Sequence, residues 1–331
     1  MDFRIFLLNI FFFLYFISAY TQTDTGQTSQ ASVIKVKNNI YMLQSEGGNI
    51  GLSLGKDGIL MVDDHYTEDI KKLQEDINKL SDKPVRFVVN THFHNDHTAG
   101  NPAMAKTGAI IISQEMVRAR LLKIINQEKK KISEEMLPMV TFSDEMNIYF
   151  NNEKVHIFHV PNAHTDGDAM IYFTQNNVLQ MGDLFFNGKY PFIDIENGGT
   201  VDGFNQGIQK ALSLINKETK IIPGHGPIAT YEDLLDAQRL LTVSYKKISQ
   251  LALLGKTEDE VAKMADITKI YDDKGYGDGF INSESFRRTL FKEATLGQTE
   301  KIDRLKSNEE ARKKYDQIKK QQESKKGKKE N

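Results

Sequence analysis

The segment Thr91-His92-Phe93-His94-Asn95-Asp96-His97 puts three imidazoles and a carboxylate within six residues, directly after the apolar run Val85 to Val89. Neutral histidine nitrogen and carboxylate oxygen at close range are the donors zinc takes. On a continuous helix His92 and His94 would point about 200° apart. In an extended or turning segment they converge on one metal, while Asp96 and His97 turn toward a second. The alternative is a polar loop that merely holds three histidines.

Three distant residues strengthen the metal reading. His164 follows the run ending at Val160, Asp183 follows the run from Val178, and His225 follows Ile222. Each is expected in a loop at the end of a strand, where α/β proteins gather their chemistry. Five of the eight histidines therefore fall where they can meet at one edge. The chain has no cysteine, so it forms no disulfide and any metal site uses His and carboxylates alone. His156 and His159 lie inside the run Val155 to Val160 and read as pleat-facing or hydrogen-bonded. Lys189 follows Asp183 by six residues, where a cation can meet a substrate carboxylate; a solvated loop lysine is the simpler reading. Gly47-Gly48-Asn49 lacks the context of a dinucleotide fingerprint and reads as a turn flanking the site's mouth.

The elements that must position these residues are legible from turn signals and apolar spacing. Val33 to Val36, Ile40 to Leu43, Ile50 to Leu54 and Ile59 to Val62 read as hairpin-connected strands. Glu68 to Leu80 has helical spacing, with Ile70, Leu73, Ile77 and Leu80 on one face. Ala109 to Ile112 reads as a strand, Gln114 to Ile125 as a helix, and Met146 to Val160 as a hairpin around Asn151-Asn152. Val178 to Met181 and Lys220 to Ile222 add strands, separated by a helix from near Thr200 to near Ile215. Strands with interleaved helices indicate a mixed α/β architecture with helices outside two sheets. From Tyr231 the chain reads as helical.

Both ends differ from the body. Arg4 precedes an apolar run from Ile5 to Ile17 that ends at Ser18-Ala19, a secretory pattern shorter than the roughly 20 residues a spanning helix prefers. Residues 1–20 are thus expected to be a signal peptide cleaved near Ala19, and 21–31 a spacer. The protein is then periplasmic or secreted, without stable membrane insertion, although a retained anchor is the alternative. Residues 32–230 form the expected catalytic domain, 231–305 a helical C-terminal extension, and 306–331 a basic tail, a frayed helix or disordered. The net charge is −2 and the lysines crowd the tail, so the body offers no basic surface for nucleic acid. A small-molecule substrate is expected; oligomeric state is not readable.

In the order His92-x-His94-x-Asp96-His97, then His164, Asp183 and His225, the sequence resembles the metallo-β-lactamase superfamily over roughly Ser32 to Thr230. The resemblance implies a four-layer αβ/βα sandwich (an α/β, or α+β, fold) and two Zn2+ per chain. His92, His94 and His164 would hold one zinc, Asp96, His97 and His225 the other, and Asp183 would bridge them. Asp96 would also orient the nucleophile. The superfamily commonly has an Asp at the strand end where Asp63 stands, which makes Asp63, and less directly His65, a support for the ligands. Asp183 occupies a position where the best-known β-lactamases carry Cys, so this chain looks closer to the lactonase-like and glyoxalase-like branches. His94 stands where the diiron flavoproteins have Glu, which argues for hydrolysis of a β-lactam, lactone or thioester. The alternatives are a phosphodiester hydrolase, a mono-iron persulfide dioxygenase, or a zinc-binding protein without turnover.

Overall fold

The computed structural model describes residues 32–45, 47–66, 70–127, 134–296, 303 and 306–317. The expected signal peptide and spacer lie outside the described residues. The strands are β1 (Ser32–Lys37), β2 (Ile40–Ser45), β3 (Gly48–Gly55), β4 (Gly58–Val62), β5 (Val85–Asn90), β6 (Ile110–Gln114), β7 (Val140–Phe142), β8 (Glu145–Phe150), β9 (Glu153–Val160), β10 (Asp168–Phe173), β11 (Val178–Phe186) and β12 (Lys220–His225). The helices are α1 (Ile70–Leu80), α2 (Asn95–Thr98), α3 (Asn101–Lys106), α4 (Glu115–Gln127), α5 (Val201–Leu214), α6 (Tyr231–Leu253), α7 (Glu258–Ala262), α8 (Lys269–Asp272) and α9 (Ser283–Thr295).

Two sheets result. One runs in the order β1-β2-β3-β4-β5-β6-β7, the other β12-β11-β10-β9-β8. The first is antiparallel through β4 and parallel from β4 to β7, so helical crossovers carry the chain between its later strands. Strand alternation sorts the apolar side chains between two faces. In β4, Leu60 and Val62 pack with Val155, Ile157 and Ile171 of the second sheet, while Ile59 and Met61 pack with Leu73 and Ile77 of α1. The second sheet's far face buries Phe204 and Ile208 of α5. Layers of helix, sheet, sheet and helix follow, as the resemblance implied.

The hairpin at Asn151-Asn152 forms, with both residues left-handed at φ 56° and 59°, as a tight two-residue turn between twisted strands requires. Several expectations need correcting. Apolar spacing does not predict β10 or β7: β10 is buried on both faces and shows no alternation, and β7 is only three residues long. Asp183 and His225 do not lie in loops: His225 is the last residue of β12, and Asp183 lies within β11, where its pairing with β12 is irregular between Gln180 and Phe186. Of the two readings of the tail, helix or disorder, residues 306–317 are helical, and Tyr315 is buried beside a cavity it shares with Met116 and Leu122 of α4. The rest of the basic tail lies outside the described residues.

The C-terminal helices are not an independent appendage. Leu234, Leu241 and Ile248 of α6 and Phe286 and Leu290 of α9 share one core with Phe158, Met170 and Leu184 of the second sheet. Thr230 caps α6 in a reciprocal capping box with Asp233, which turns the chain sharply out of β12 into this layer.

Candidate metal centre

The His-rich segment leaves β5 as four irregular residues, Thr91 to His94, and then closes the single turn α2, with His97 N–H donating to the His94 carbonyl at 3.0 Å. This change of direction divides the motif. His92 and His94 point one way: His92 Nε2 and His94 Nδ1 are 3.1 Å apart, and His164 Nε2 lies 2.9 Å from the same His94 nitrogen. Asp96 and His97 face the other way and meet His225, whose Nε2 is 3.4 Å from Asp96 Oδ2. His92, His94, His164 and Asp183 form one group of possible ligands and Asp96, His97 and His225 another, with the ligand atoms of each within 4.8 Å of one another.

Asp183 stands between the groups. Its Oδ2 lies 3.6 Å from His164 Nε2 and 3.9 Å from His92 Nε2, and its Oδ1 lies 3.2 Å from His97 Nε2 and 3.4 Å from His225 Nε2. Glycine makes this approach possible. A Cβ on Gly224 would fall 2.0 Å from Asp183 Oδ1, and Gly182, at φ +51°, would put one 2.6 Å from Thr91. Asn49 holds the facing loop, donating to the carbonyls of Pro223 and Gly226 at 2.9 and 2.8 Å.

The donor set fits a cation. His97 Nε2 and Asp183 Oδ1 are buried without a hydrogen-bond partner, although they face each other. Leaving such atoms unsatisfied is costly, and a positive ion between neutral nitrogen and carboxylate oxygen would satisfy both. The opposite nitrogens are held as metal-binding histidines require. His97 Nδ1 meets Asp63 Oδ2 at 2.8 Å, His92 Nδ1 meets Thr91 Oγ1 at 3.0 Å, His94 Nε2 meets Asp194 Oδ2 at 2.9 Å, and His164 Nδ1 meets the Phe192 carbonyl at 2.8 Å. Thr91 also donates from both N–H and Oγ1 to Asp63, so one carboxylate steadies a ligand of each group.

Electrostatics separate the groups. Burial and the neighbouring His97 push His92 well down, and burial brings His164 to about 4. In the second group burial opposes charge but the carboxylates prevail. Asp183 and Asp96 hold His225 up at about 9, and Asp96, Asp183 and Asp63 hold His97 well above the usual histidine range. Burial is likewise outweighed at Asp183, which His225 and His97 keep well below the ordinary carboxylate range.

A cavity of about 360 Å³ opens onto His94, Asp96, Asp183 and His225. Its floor is polar and its walls aromatic: Phe186 stacks on His225 at 5.1 Å, and Phe192 on His94 at 5.9 Å. Lys189 lines the mouth and has no ion-pair partner among the described residues. His65 is buried edge-on to Tyr66, outside both groups; of Gly47-Gly48-Asn49 only Gly47 is in a turn, and Gly48 opens β3 beside His97 and His225 at the site's edge. His159 and His156 bond to the Asp168 carbonyl and to Asn147, away from the centre. Sequence reasoning missed Asp194 and Phe192. Asp194 reaches His94 across 100 residues from a segment with no motif of its own.

The family follows from comparison as well as geometry. The profile of the metallo-beta-lactamase superfamily matches residues 38–225, more than half of the sequence, and the chain belongs to this superfamily. A metallo-beta-lactamase type 2 of Bacillus cereus is 22% identical over 65% of this chain and 84% of its own. A hydroxyacylglutathione hydrolase of Pelagibacter ubique is 28% identical over 45% of this chain and 56% of its own. Among solved structures, a metallo-beta-lactamase from Pontibacter korlensis matches with a TM-score of 0.56 at 20% identity, over 64% of this chain and 99% of its own. At that identity the structural likeness establishes the fold. The superfamily and the candidate site make the protein a metal-dependent hydrolase.

Proposed function

We propose that the protein is an exported hydrolase that holds two zinc ions and attacks the carbonyl of a small cyclic acyl compound, a β-lactam or a lactone, ahead of a glutathione thioester. The division of the Asp183 carboxylate, one oxygen toward each histidine group, carries the reading. His92, His94 and His164 would hold one ion, Asp96, His97 and His225 the second, and Asp183 both. Zinc in such a site supplies Lewis acidity toward a carbonyl and brings the pKa of a nucleophilic water toward neutrality. With Asp183 counted for both, each ion would have four protein donors, and the cavity that opens onto His94, Asp96, Asp183 and His225 gives room on one side for a further ligand, as a catalytic site that expands to five positions needs.

The chain's own residues then have distinct tasks. Asp96 is more exposed to the cavity than Asp183, 18% against 6%, and accepts the hydrogen bond that orients the nucleophile. Phe186 and Phe192 exclude water from the flanks of His225 and His94. Lys189 binds a carboxylate on the substrate, as a β-lactam carries, by a charge-assisted contact of about 1 to 3 kcal/mol. Export rests on Arg4, the Ile5 to Ile17 run and Ser18-Ala19; N-terminal sequencing of protein from its native compartment checks it. Outside the cytoplasm a glutathione conjugate is a less natural substrate than a diffusible ring compound.

Thioester hydrolysis is the second reading, favoured by aspartate in place of cysteine at position 183 and by the likeness to a hydroxyacylglutathione hydrolase. Steady-state kinetics of the zinc-loaded mature protein on a β-lactam, an aliphatic lactone and a glutathione thioester decide between them. A thioester processed a hundredfold more efficiently than either ring compound overturns the ring-substrate reading. Zinc at or below one per chain after reconstitution, or iron as the active metal, overturns the two-zinc reading.

A further inference from the structure

The cavity over the metal centre has a wall that the superfamily match does not include. Phe280 and Ile281 line it together with Tyr66, Tyr190 and Phe192, and they lie well beyond residue 225, where the match ends. Phe280 is 85% exposed and meets Phe192 edge-on at 5.7 Å, and Phe192 in turn stacks on His94. A large aromatic left in water at the mouth of a site contributes little to folding.

Several contacts fix this segment in place. Tyr190, buried and lining the same cavity, stacks on Phe286 at 4.5 Å, and its hydroxyl donates to Asp272 Oδ1 at 2.5 Å. Asp272 also accepts from Ser283 and Thr268, and Arg287 donates to Thr268, so the turn between α8 and α9 is tied at both ends. Gly279 lets the turn lie against the aliphatic stem of Lys189, where a Cβ would stand 3.0 Å from Lys189 Cδ.

We infer that Phe280 and Ile281 form the apolar wall of the substrate pocket, which selects acyl compounds bearing a medium-length aliphatic or aromatic substituent next to the scissile carbonyl. The inference rests on the proposed carbonyl hydrolysis for its chemistry, and on the placement of Phe280 and Ile281 for its specificity. Phe280 and Phe192 grip the substituent while Asp96 and the histidines face the ring. A cavity of about 360 Å³ suits one such small molecule and not a polymer.

The test uses the zinc-loaded full chain with N-butanoyl- and N-octanoyl-homoserine lactone. The wild type is expected to favour the octanoyl compound in kcat/KM. Phe280→Ser should lower that ratio about tenfold, the scale of a lost apolar contact in a specificity pocket, and Phe280→Leu should keep most of it. Because Phe280 is exposed, its replacement leaves the fold intact. No octanoyl preference in the wild type, or a ratio within about twofold of it in Phe280→Ser, overturns the inference. If no carbonyl substrate is turned over, the proposed function fails, and calorimetry with octanoate and acetate reads the wall directly. A preference for octanoate that Phe280→Ser removes sustains the wall, and one that survives the substitution overturns it.

Discussion

The two histidine groups that share Asp183 are built from the same residue types but prepared for a cation in opposite ways. His92, His94 and His164 each have the outward nitrogen held by a separate partner, Thr91, Asp194 and the Phe192 carbonyl, and burial keeps His92 and His164 neutral. Asp96, His97 and His225 form a network of opposite charges open to the cavity, in which the carboxylates hold protons on both imidazoles. In the first group His92 and His164 can bind an ion without losing a proton. The second must give up protons first, so a shared ligand type does not imply shared affinity.

The comparison breaks most completely at its shared member. Asp183→Ala should reduce zinc to about one weakly held ion per chain, on the three histidines of the first group, and lower kcat/KM roughly a thousandfold, the several kcal/mol of Lewis-acid stabilisation converted at about 1.4 kcal/mol per decade. Elemental analysis and kinetics check it; two retained zinc ions would show that Asp183 does not bridge. His225→Ala or Asp96→Ala removes a ligand from the second group only. One tightly held zinc per chain is the expected stoichiometry, and loss of both ions would mean that the groups do not act separately.

Asp194→Ala frees the outer nitrogen of His94 and should weaken the first zinc by about 10- to 100-fold while sparing the second, as removal of an orienting carboxylate typically does. Asp63→Ala should weaken both, since Asp63 touches His97 directly and His92 through Thr91. Competition with a chromophoric chelator separates the two patterns.

Acidity sharpens the same contrast. At neutral pH the first zinc meets neutral imidazoles at His92 and His164, whereas the second displaces protons from His97 and His225. Binding of the second ion should therefore tighten as pH rises toward about 9. Calorimetry in two buffers of different ionisation enthalpy measures the protons released at each step, and equal release would contradict the assignment. For the metal-free chain the sign is reversed. His225 is raised from 6.5 to about 9, so its contribution to stability is full below pH 6.5 and is lost as pH rises through about 9. Thermal melts of the metal-free protein across that window, with the zinc-loaded protein as reference, follow the loss.

The smallest effect concerns neither group. Lys189→Ala should raise KM several-fold for substrates that carry a carboxylate, with kcat little changed, because the contact is remote from the reacting carbonyl and acts on ground state and transition state alike. An equal fall in kcat would place Lys189 closer to the reaction than the cavity mouth does.

Much of this centre is legible in the amino-acid sequence, for a local reason. The density of imidazoles and carboxylates after β5 can be read within six residues, and each distant ligand follows a recognisable apolar run. Helix periods, the Asn151-Asn152 turn and the sequence of elements are likewise nearest-neighbour properties. Other features depend on segments that meet only after folding. Asp194 reaches His94 across 100 residues, backbone closes on the Asp183 carboxylate at Gly224 and on Thr91 at Gly182, and β10 is hidden by burial on both faces. The C-terminal helices read as an extension because their amphipathic pattern shows that a face is buried but not against what. Packing decided that: they share a core with the second sheet and bring Phe280 to the metal cavity. Sequence alone determined which side chains could bind metal, since that is a property of residue type and short-range spacing. Tertiary structure decided which of them meet, how each is charged and what surrounds the substrate, because those depend on distances through space and on burial.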